Sequence, residues 1–288
     1  MYAITGITGQ VGGALARALL AAGYSVRAVM RDEKKAVPWA AQGCEIALAA
    51  MDDAAALTKA FSGAEGVFIL LPPVFDPQPG FPESRAVIAA LQAALMSARP
   101  QKVVCLSTIG AQAAQPNLLS QLSLLEEKLG SLPLPIAFLR SGWFLENTLW
   151  DIGPARDTGT IPSFLQPLDR KIPMVATADV GRVAAELLTE TWQGKRVVEL
   201  EGPVRMAPND LAAGLARVLG RPVRAEAVPR ETWGALFKGQ GMNDPLPRIQ
   251  MLDGFNEGWI DFEGGPAGTV KGKVGLDTVL QDLLSRAG

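Results

Sequence analysis

Two spacings of apolar residues alternate along the first half of the chain. Short strand-like runs occur at Ala3–Thr5, Ser25–Met30, Glu45–Leu48, Val67–Leu71, Val103–Ser107 and Ile136–Leu139. Between them lie longer stretches with apolar residues at helical spacing, such as Val11, Leu15 and Leu19, followed by Gly23 as a helix end. Further helices are predicted over Asp53–Phe61, Ser84–Ala98 and Leu118–Leu129. Apolar strands that alternate with helices predict a parallel sheet covered on both faces. Right-handed crossovers then make it doubly wound.

After Arg140 the pattern changes. Gly, Pro and aromatic residues are dense from Ser141 to Pro173. Helices are predicted to start at Asp179 and near Pro208, the second ending at Gly220, with a strand over Val223–Val228 and a loop over Gly239–Pro247. A last amphipathic helix carries Leu276, Val279, Leu280, Leu283 and Leu284 on one face. The expected architecture is α/β: residues 1–150 form the doubly wound sheet domain, and residues 151–288 a smaller α/β substrate lobe over the carboxyl ends of its strands. The chain is free to cross between the two.

The first predicted strand runs into Gly6-Ile7-Thr8-Gly9-Gln10-Val11-Gly12, and a helix follows at once. The first glycine permits a tight turn, the second lets a pyrophosphate approach the backbone, and the third lets helix pack closely on strand. The helix start offers free N–H groups and a positive dipole end to phosphates. These features predict a Rossmann dinucleotide site. An acid after the second strand would bind the ribose hydroxyls of NAD. This chain has Arg31 there, with Lys34 and Lys35 beyond. A planar guanidinium suits a 2′-phosphate, so the expected cofactor is NADP(H).

Composition narrows the chemistry. The 288 residues include no histidine, which excludes His-ligated metal sites and His-based acid/base catalysis, and no metal is expected. The net charge of −2 comes without a basic cluster, so no direct nucleic-acid contact is expected. Apolar runs such as Val67–Leu71 are too short to span a membrane. The first residues show no charged stretch and no cleavage site, which predicts a mature cytoplasmic protein. The two cysteines, Cys44 and Cys105, do not make a disulfide framework, and Cys105 is expected as a small buried hydrophobe.

The glycine spacing resembles that of extended and atypical short-chain dehydrogenases/reductases. Several segments together resemble the NmrA-like family of that superfamily: Thr5–Gly12, Val29–Arg31, Phe68–Pro73, Leu106–Gly110, Phe138–Asn147 and Asp179–Val183. The resemblance implies that Gly6, Thr8, Gly9, Gln10, Val11 and Gly12 line a pyrophosphate and that Arg31 meets a 2′-phosphate. It implies Leu71 and Pro72 on the adenosine side, and Ser107 and Thr108 near a nicotinamide. It implies Ser141, Gly142, Trp143, Phe144 and Asn147 around nicotinamide and substrate. Ala50 stands where many relatives carry an Asp near the end of the third strand. The Tyr-x-x-x-Lys pair of many superfamily members is missing too, since Leu118–Leu129 contains no tyrosine.

In the superfamily's usual mechanism that tyrosine protonates the alkoxide formed by hydride transfer. The two tyrosines here, Tyr2 and Tyr24, begin the first two strands, at the sheet end opposite the cofactor. A conventional alcohol dehydrogenase is therefore not expected. Hydride transfer to a small electron-poor acceptor, such as a quinone, needs no protein acid, and Ser107 is the one weak catalytic candidate. Its hydroxyl either bonds an acceptor oxygen or is satisfied by backbone. The alternative is a non-enzymatic NADP(H) sensor. Glu126, Glu127 and Lys128 read as a solvated helix face. Trp143, Phe144, Trp150, Phe164, Trp233, Phe237 and Trp259 read mostly as core, with Trp143 and Phe144 expected beside the ligand. The oligomeric state stays open, a homodimer included.

Overall fold

The computed structural model describes residues 1–287. Strand and helix alternate through its first half: β1 (Tyr2–Thr5), α1 (Gln10–Ala21), β2 (Val26–Met30), α2 (Val37–Ala40), β3 (Glu45–Leu48), α3 (Ala54–Phe61), β4 (Gly66–Ile69), α4 (Pro82–Ala98), β5 (Lys102–Thr108), α5 (Ser120–Leu129) and β6 (Ile136–Ser141). The second half holds β7 (Trp143–Phe144), α6 (Leu149–Asp157), β8 (Thr160–Ser163), β9 (Met174–Val175), α7 (Thr177–Thr189), β10 (Lys195–Glu201), α8 (Pro208–Leu219) and β11 (Arg224–Ala227). It ends with α9 (Trp233–Gly239), α10 (Leu246–Glu257), α11 (Gly265–Gly268), β12 (Val270–Lys271) and α12 (Leu276–Ala287).

Eight strands form one sheet in the order β12-β10-β6-β5-β4-β1-β2-β3, and every neighbouring pair is parallel. From β1 the chain winds outward to β3, then returns to place β4 on the other side of β1. That reversal opens a crevice at the carboxyl ends of β1 and β4, where ligands bind in such sheets. Leu15, Leu19, Val180 and Val183 of α1 and α7 cover one face of the sheet. Leu57, Leu91 and Leu125 of α3, α4 and α5 cover the other. The two helices α1 and α7 pack so closely that a Cβ on Gly181 would stand 2.6 Å from that of Ala14.

A second core joins Ile109 to Trp233, Phe237, Leu252, Phe255 and Leu280. Here β8 pairs with β11 and β7 with β9, with α6, α8, α9, α10 and α12 around them. The chain crosses between the lobes, because β10 and β12 belong to the main sheet although both follow residue 151. β10 carries no apolar run and was not expected as a strand. The stretch expected as a loop over Gly239–Pro247 gives way to α10 at Leu246. Trp150 is 81 % exposed rather than core. Cys44 and Cys105 are buried free thiols, both pushed up by desolvation. No described helix is long and apolar enough to cross a membrane.

Candidate active site

The turn between β1 and α1 forms as the glycine spacing dictates. Gly6 has φ +63°, a conformation costly for residues with a Cβ, and the Gly9 N–H donates to its carbonyl at 3.0 Å. A Cβ on Gly12 would lie 2.3 Å from that same carbonyl, so the helix can start this close to the strand only with glycine there. Gly9 is the N-cap of α1, and no side chain caps the helix. The first-turn N–H groups of Gln10, Val11 and Gly12 therefore lack an acceptor among the described residues, as an anion site requires. Thr5 braces the turn: its Oγ1 donates to the Phe68 carbonyl at 3.1 Å and accepts from the Leu70 N–H at 2.9 Å.

Arg31 is exposed just beyond β2 and makes no ion pair among the described residues. The neighbouring acid, Asp32, is occupied in accepting from the Lys34 N–H at 3.0 Å. Across the crevice, Leu70 lies 3.1 Å from where a Gly6 Cβ would be, which brings the segment containing Leu71 and Pro72 beside the turn. Ala50, at the end of β3, offers no polar side chain to a base.

Ser107, Arg140 and Glu199 stand side by side on β5, β6 and β10, in register near the carboxyl ends. Glu126 of α5 closes over this row. Its Oε1 accepts from Ser107 Oγ at 2.6 Å and from Arg140 Nε at 2.9 Å, and its Oε2 accepts from Arg140 Nη2 at 2.7 Å. Glu263 also binds Arg140, and Glu199 lies 3.6 Å from it. Burial acts to lower the Arg140 pKa, but the Glu126 and Glu263 carboxylates outweigh it and hold the guanidinium above its ordinary value. Glu126 is thus a buried-pair residue and not a solvated one. Ser107 is satisfied neither by backbone nor by solvent but by a carboxylate. Glu127 and Lys128 do pair with each other at the surface. Thr108, next along β5, points to the opposite sheet face from Ser107 by strand alternation.

Backbone bonds hold the start of the chain after β6: Ile109 donates to Ser141 O, Gly142 to Leu200 O and Trp143 to Pro173 O. A Cβ on Gly142 would meet the Pro173 carbonyl at 2.7 Å. Trp143 and Phe144 diverge. The Trp143 ring meets Phe255 edge-on at 5.3 Å in the second lobe, whereas Phe144 packs on the core of the sheet domain. Asn147 is exposed. Its neighbour Glu146, which the sequence did not single out, accepts from the N–H and hydroxyl of Thr177 at 2.8 and 2.6 Å. The other Glu146 oxygen is buried without a partner, and desolvation raises this carboxyl's pKa. The Thr177 hydroxyl lies 3.3 Å from Gln10 Oε1, so this acid stands behind the glycine turn.

The second lobe is pinned to the loops that follow β4 and β5. Asp76, in the loop after β4, accepts from the Asn243 and Asp244 N–H groups at 2.9 and 3.0 Å, and from the Asn243 side chain at 2.7 Å. Leu118, before α5, donates to the Pro247 carbonyl at 2.9 Å. A separate groove of about 430 Å³, lined by Val183, Leu187, Val198 and Val270, opens at the outer edge of β10 and holds none of the residues of the glycine turn.

Residues 2–256 match the NmrA-like family. The chain belongs to that family. It is 29% identical over 248 residues to quinone oxidoreductase 2 of Escherichia coli, covering 85% of this chain and 84% of that protein. It is 27% identical over 248 residues to an NAD(P)H azoreductase of Xenophilus azovorans, covering 85% and 83%. The fold is shared with the crystal structure of the NADPH-dependent quinone oxidoreductase of Escherichia coli complexed with NADPH, at a TM-score of 0.81 and 24% identity over all of both chains.

Proposed function

We propose that this protein is an NADPH-dependent reductase that passes hydride to a small electron-poor acceptor, such as a quinone, without a protein acid. At the phosphate end, the uncapped start of α1 and the unpaired Arg31 suit a pyrophosphate and a 2′-phosphate. Leu71 and Pro72 would flank the adenosine, and Thr8 the pyrophosphate. Ser107, Thr108, Ser141, Gly142 and Trp143 would surround the nicotinamide and acceptor, with Phe144 and Asn147 backing that segment. The relatives named quinone oxidoreductase and azoreductase support the reading.

The observation that carries the mechanism is the state of Ser107. Its hydroxyl already donates a hydrogen bond to Glu126, so its lone pairs would accept from a bound carboxamide while the hydroxyl would not serve as an acid. Tyr2 sits at the far end of the sheet, its hydroxyl bound to Glu65 at 2.8 Å. NADPH bound at the glycine turn would supply hydride to the acceptor, and water would supply the proton that completes its reduction. A quinone tolerates this because its ring stabilises the phenolate. The buried free thiols of Cys44 and Cys105 support a reducing, cytoplasmic setting.

The test is NADPH consumption with a panel of quinones, cationic dyes, imines and simple ketones. Turnover of the first three and not of ketones is expected. Tight NADPH binding with no turnover of any acceptor would make the protein a cofactor sensor.

A further inference from the structure

Arg248 stands on the first turn of α10, beside the contacts that pin the second lobe to the sheet domain. Its chain neighbours fix its position on both sides. Asn243 and Asp244 are clasped by Asp76 from the loop after β4, and Pro247 receives the N–H of Leu118 from the loop before α5. Gln121 ties those two loops together by donating to the Val74 carbonyl at 3.0 Å. One and two turns further along α10, Leu252 and Phe255 share the Arg248 stripe, and Phe255 meets Trp143. Leu252 and Phe255 turn into the core of the second lobe, and Arg248 stands where that lobe meets the loops that follow β4 and β5.

The surroundings of this guanidinium are apolar. It stacks 4.3 Å from the centroid of Phe237, and Nη1 reaches Met242 Sδ at 3.9 Å. Phe164 lies 5.1 Å from Phe237 and extends the same aromatic wall. No carboxylate pairs with Arg248 among the described residues. Arg140, Arg182, Arg205, Arg217 and Arg230 each hold one, at 2.6–3.2 Å for the last four. Desolvation alone acts on Arg248 and lowers its pKa, whereas carboxylates raise those of the other five. Half-burying a charge with no counter-ion is unfavourable, and an aromatic face returns only part of the loss. A planar fork held against a ring, with no carboxylate of its own, is suited to receive an oxyanion.

We propose that Arg248 is a specificity residue, and that the acceptors this protein prefers carry an anionic substituent — a carboxylate, sulfonate or phosphate — that pairs with its guanidinium, which the buried Phe237 ring holds in place from behind. The proposal deepens the reductase reading and rests on it for the site, but it concerns recognition and can be read without turnover.

The test compares 1,4-naphthoquinone with its 2-sulfonate in wild type and in Arg248→Met, which keeps an apolar stem against Phe237. In wild type, kcat/KM with the sulfonate should exceed that expected from its reduction potential, and its KM should be the lower of the two. In Arg248→Met the ratio of kcat/KM, sulfonate over neutral quinone, should fall about ten- to a hundredfold, as for loss of one charge-assisted pair. Arg248→Lys should restore part of it. An unchanged ratio, with both acceptors losing activity equally, would show a packing role and overturn the proposal. A fall in NADPH affinity with an unchanged ratio would assign the guanidinium to a cofactor phosphate and overturn it as well. If neither quinone nor any dye or imine of the panel turns over, the reductase reading fails. Calorimetric binding of naphthalene-2-sulfonate to the NADPH-loaded protein then decides separately: binding that Arg248→Met weakens at least tenfold supports the anion site, and equal binding sinks it.

Discussion

Ser107 and Glu126 are joined by a 2.6 Å hydrogen bond in which the hydroxyl is the donor, and the same carboxylate grips Arg140 through both of its oxygens. One acid thus spends the proton of the strand-end serine and neutralises the charge buried beside it. Removing it should hurt stability more than it hurts catalysis. Glu126→Leu leaves Arg140 with Glu199 and Glu263, and should destabilise the fold by about 2–4 kcal/mol, since a buried charge loses its best partner. Ser107→Ala removes one neutral donor and should lower the rate tenfold or less. Urea unfolding and NADPH-dependent quinone reduction measure the two effects. A Ser107→Ala loss above a thousandfold would make Ser107 an acid after all.

Two glycines of the turn should fail in different ways. A methyl at Gly12 collides with the Gly6 carbonyl at 2.3 Å, so Gly12→Ala should push α1 off β1 and lower stability as well as cofactor affinity. A Cβ at Gly9 meets only that carbonyl, at 3.3 Å. Gly9→Val should therefore stay folded while its branches fill the space a pyrophosphate needs. Thermal melts and cofactor titration separate them. A folded Gly9→Val protein that binds NADPH as wild type does would remove the turn from the site.

The alternation that set out β1 to β6 was legible because each strand carries a short apolar run, buried on both faces in β1, β4 and most of β5 and β6, even though β3 at the sheet edge is half exposed. β10 escaped the same reading. Its Glu199 and Glu201 face Arg140, Arg205 and Lys271, so a strand of the main sheet carries charges where a run of Val and Ile would announce it. Glu126 was misplaced for a related reason. Gln121, Leu125 and Leu129 mark the buried stripe of α5, and Glu126 lies one position off it, while its partner Arg140 is on a strand fourteen residues away. α10 buries Ile249, Met251, Leu252 and Phe255 and leaves no clean polar face, so no period marked it. The glycine turn was legible because local backbone geometry alone demands it. The Asp76 clasp was not, since it joins residues 167 positions apart.

Cofactor preference should follow Arg31. The side chain is exposed and unpaired among the described residues, so a 2′-phosphate displaces water and no protein partner. Arg31→Ala should weaken NADPH binding roughly ten- to a hundredfold and leave NADH binding within about twofold. Calorimetric titration of both cofactors against both proteins measures this. Equal wild-type affinities for NADH and NADPH would contradict the assignment.

Asp151 gives the fold a pH dependence of its own. It stands in the first turn of α6, half-buried, with no hydrogen bond to its carboxylate among the described residues, and burial pushes its pKa up to about 7. In the unfolded chain an aspartate titrates near ~3.9. Across the window between those values the folded protein keeps a proton that the unfolded chain has released. The contribution of Asp151 to stability is therefore most favourable below about pH 4, declines as pH rises toward about 7, and stays reduced above it. Asp151→Asn removes the charge but keeps the size, so the variant should be more stable than wild type at pH 8 and equal to it near pH 4. Because the carboxyl keeps partial access to water, the gain should be about 1–2 kcal/mol. Urea midpoints of both proteins at pH 4, 6 and 8 measure it. A wild type that matches Asp151→Asn at pH 8, or that falls below it only under acid, would mean that Asp151 is already ionised and solvated in the folded protein.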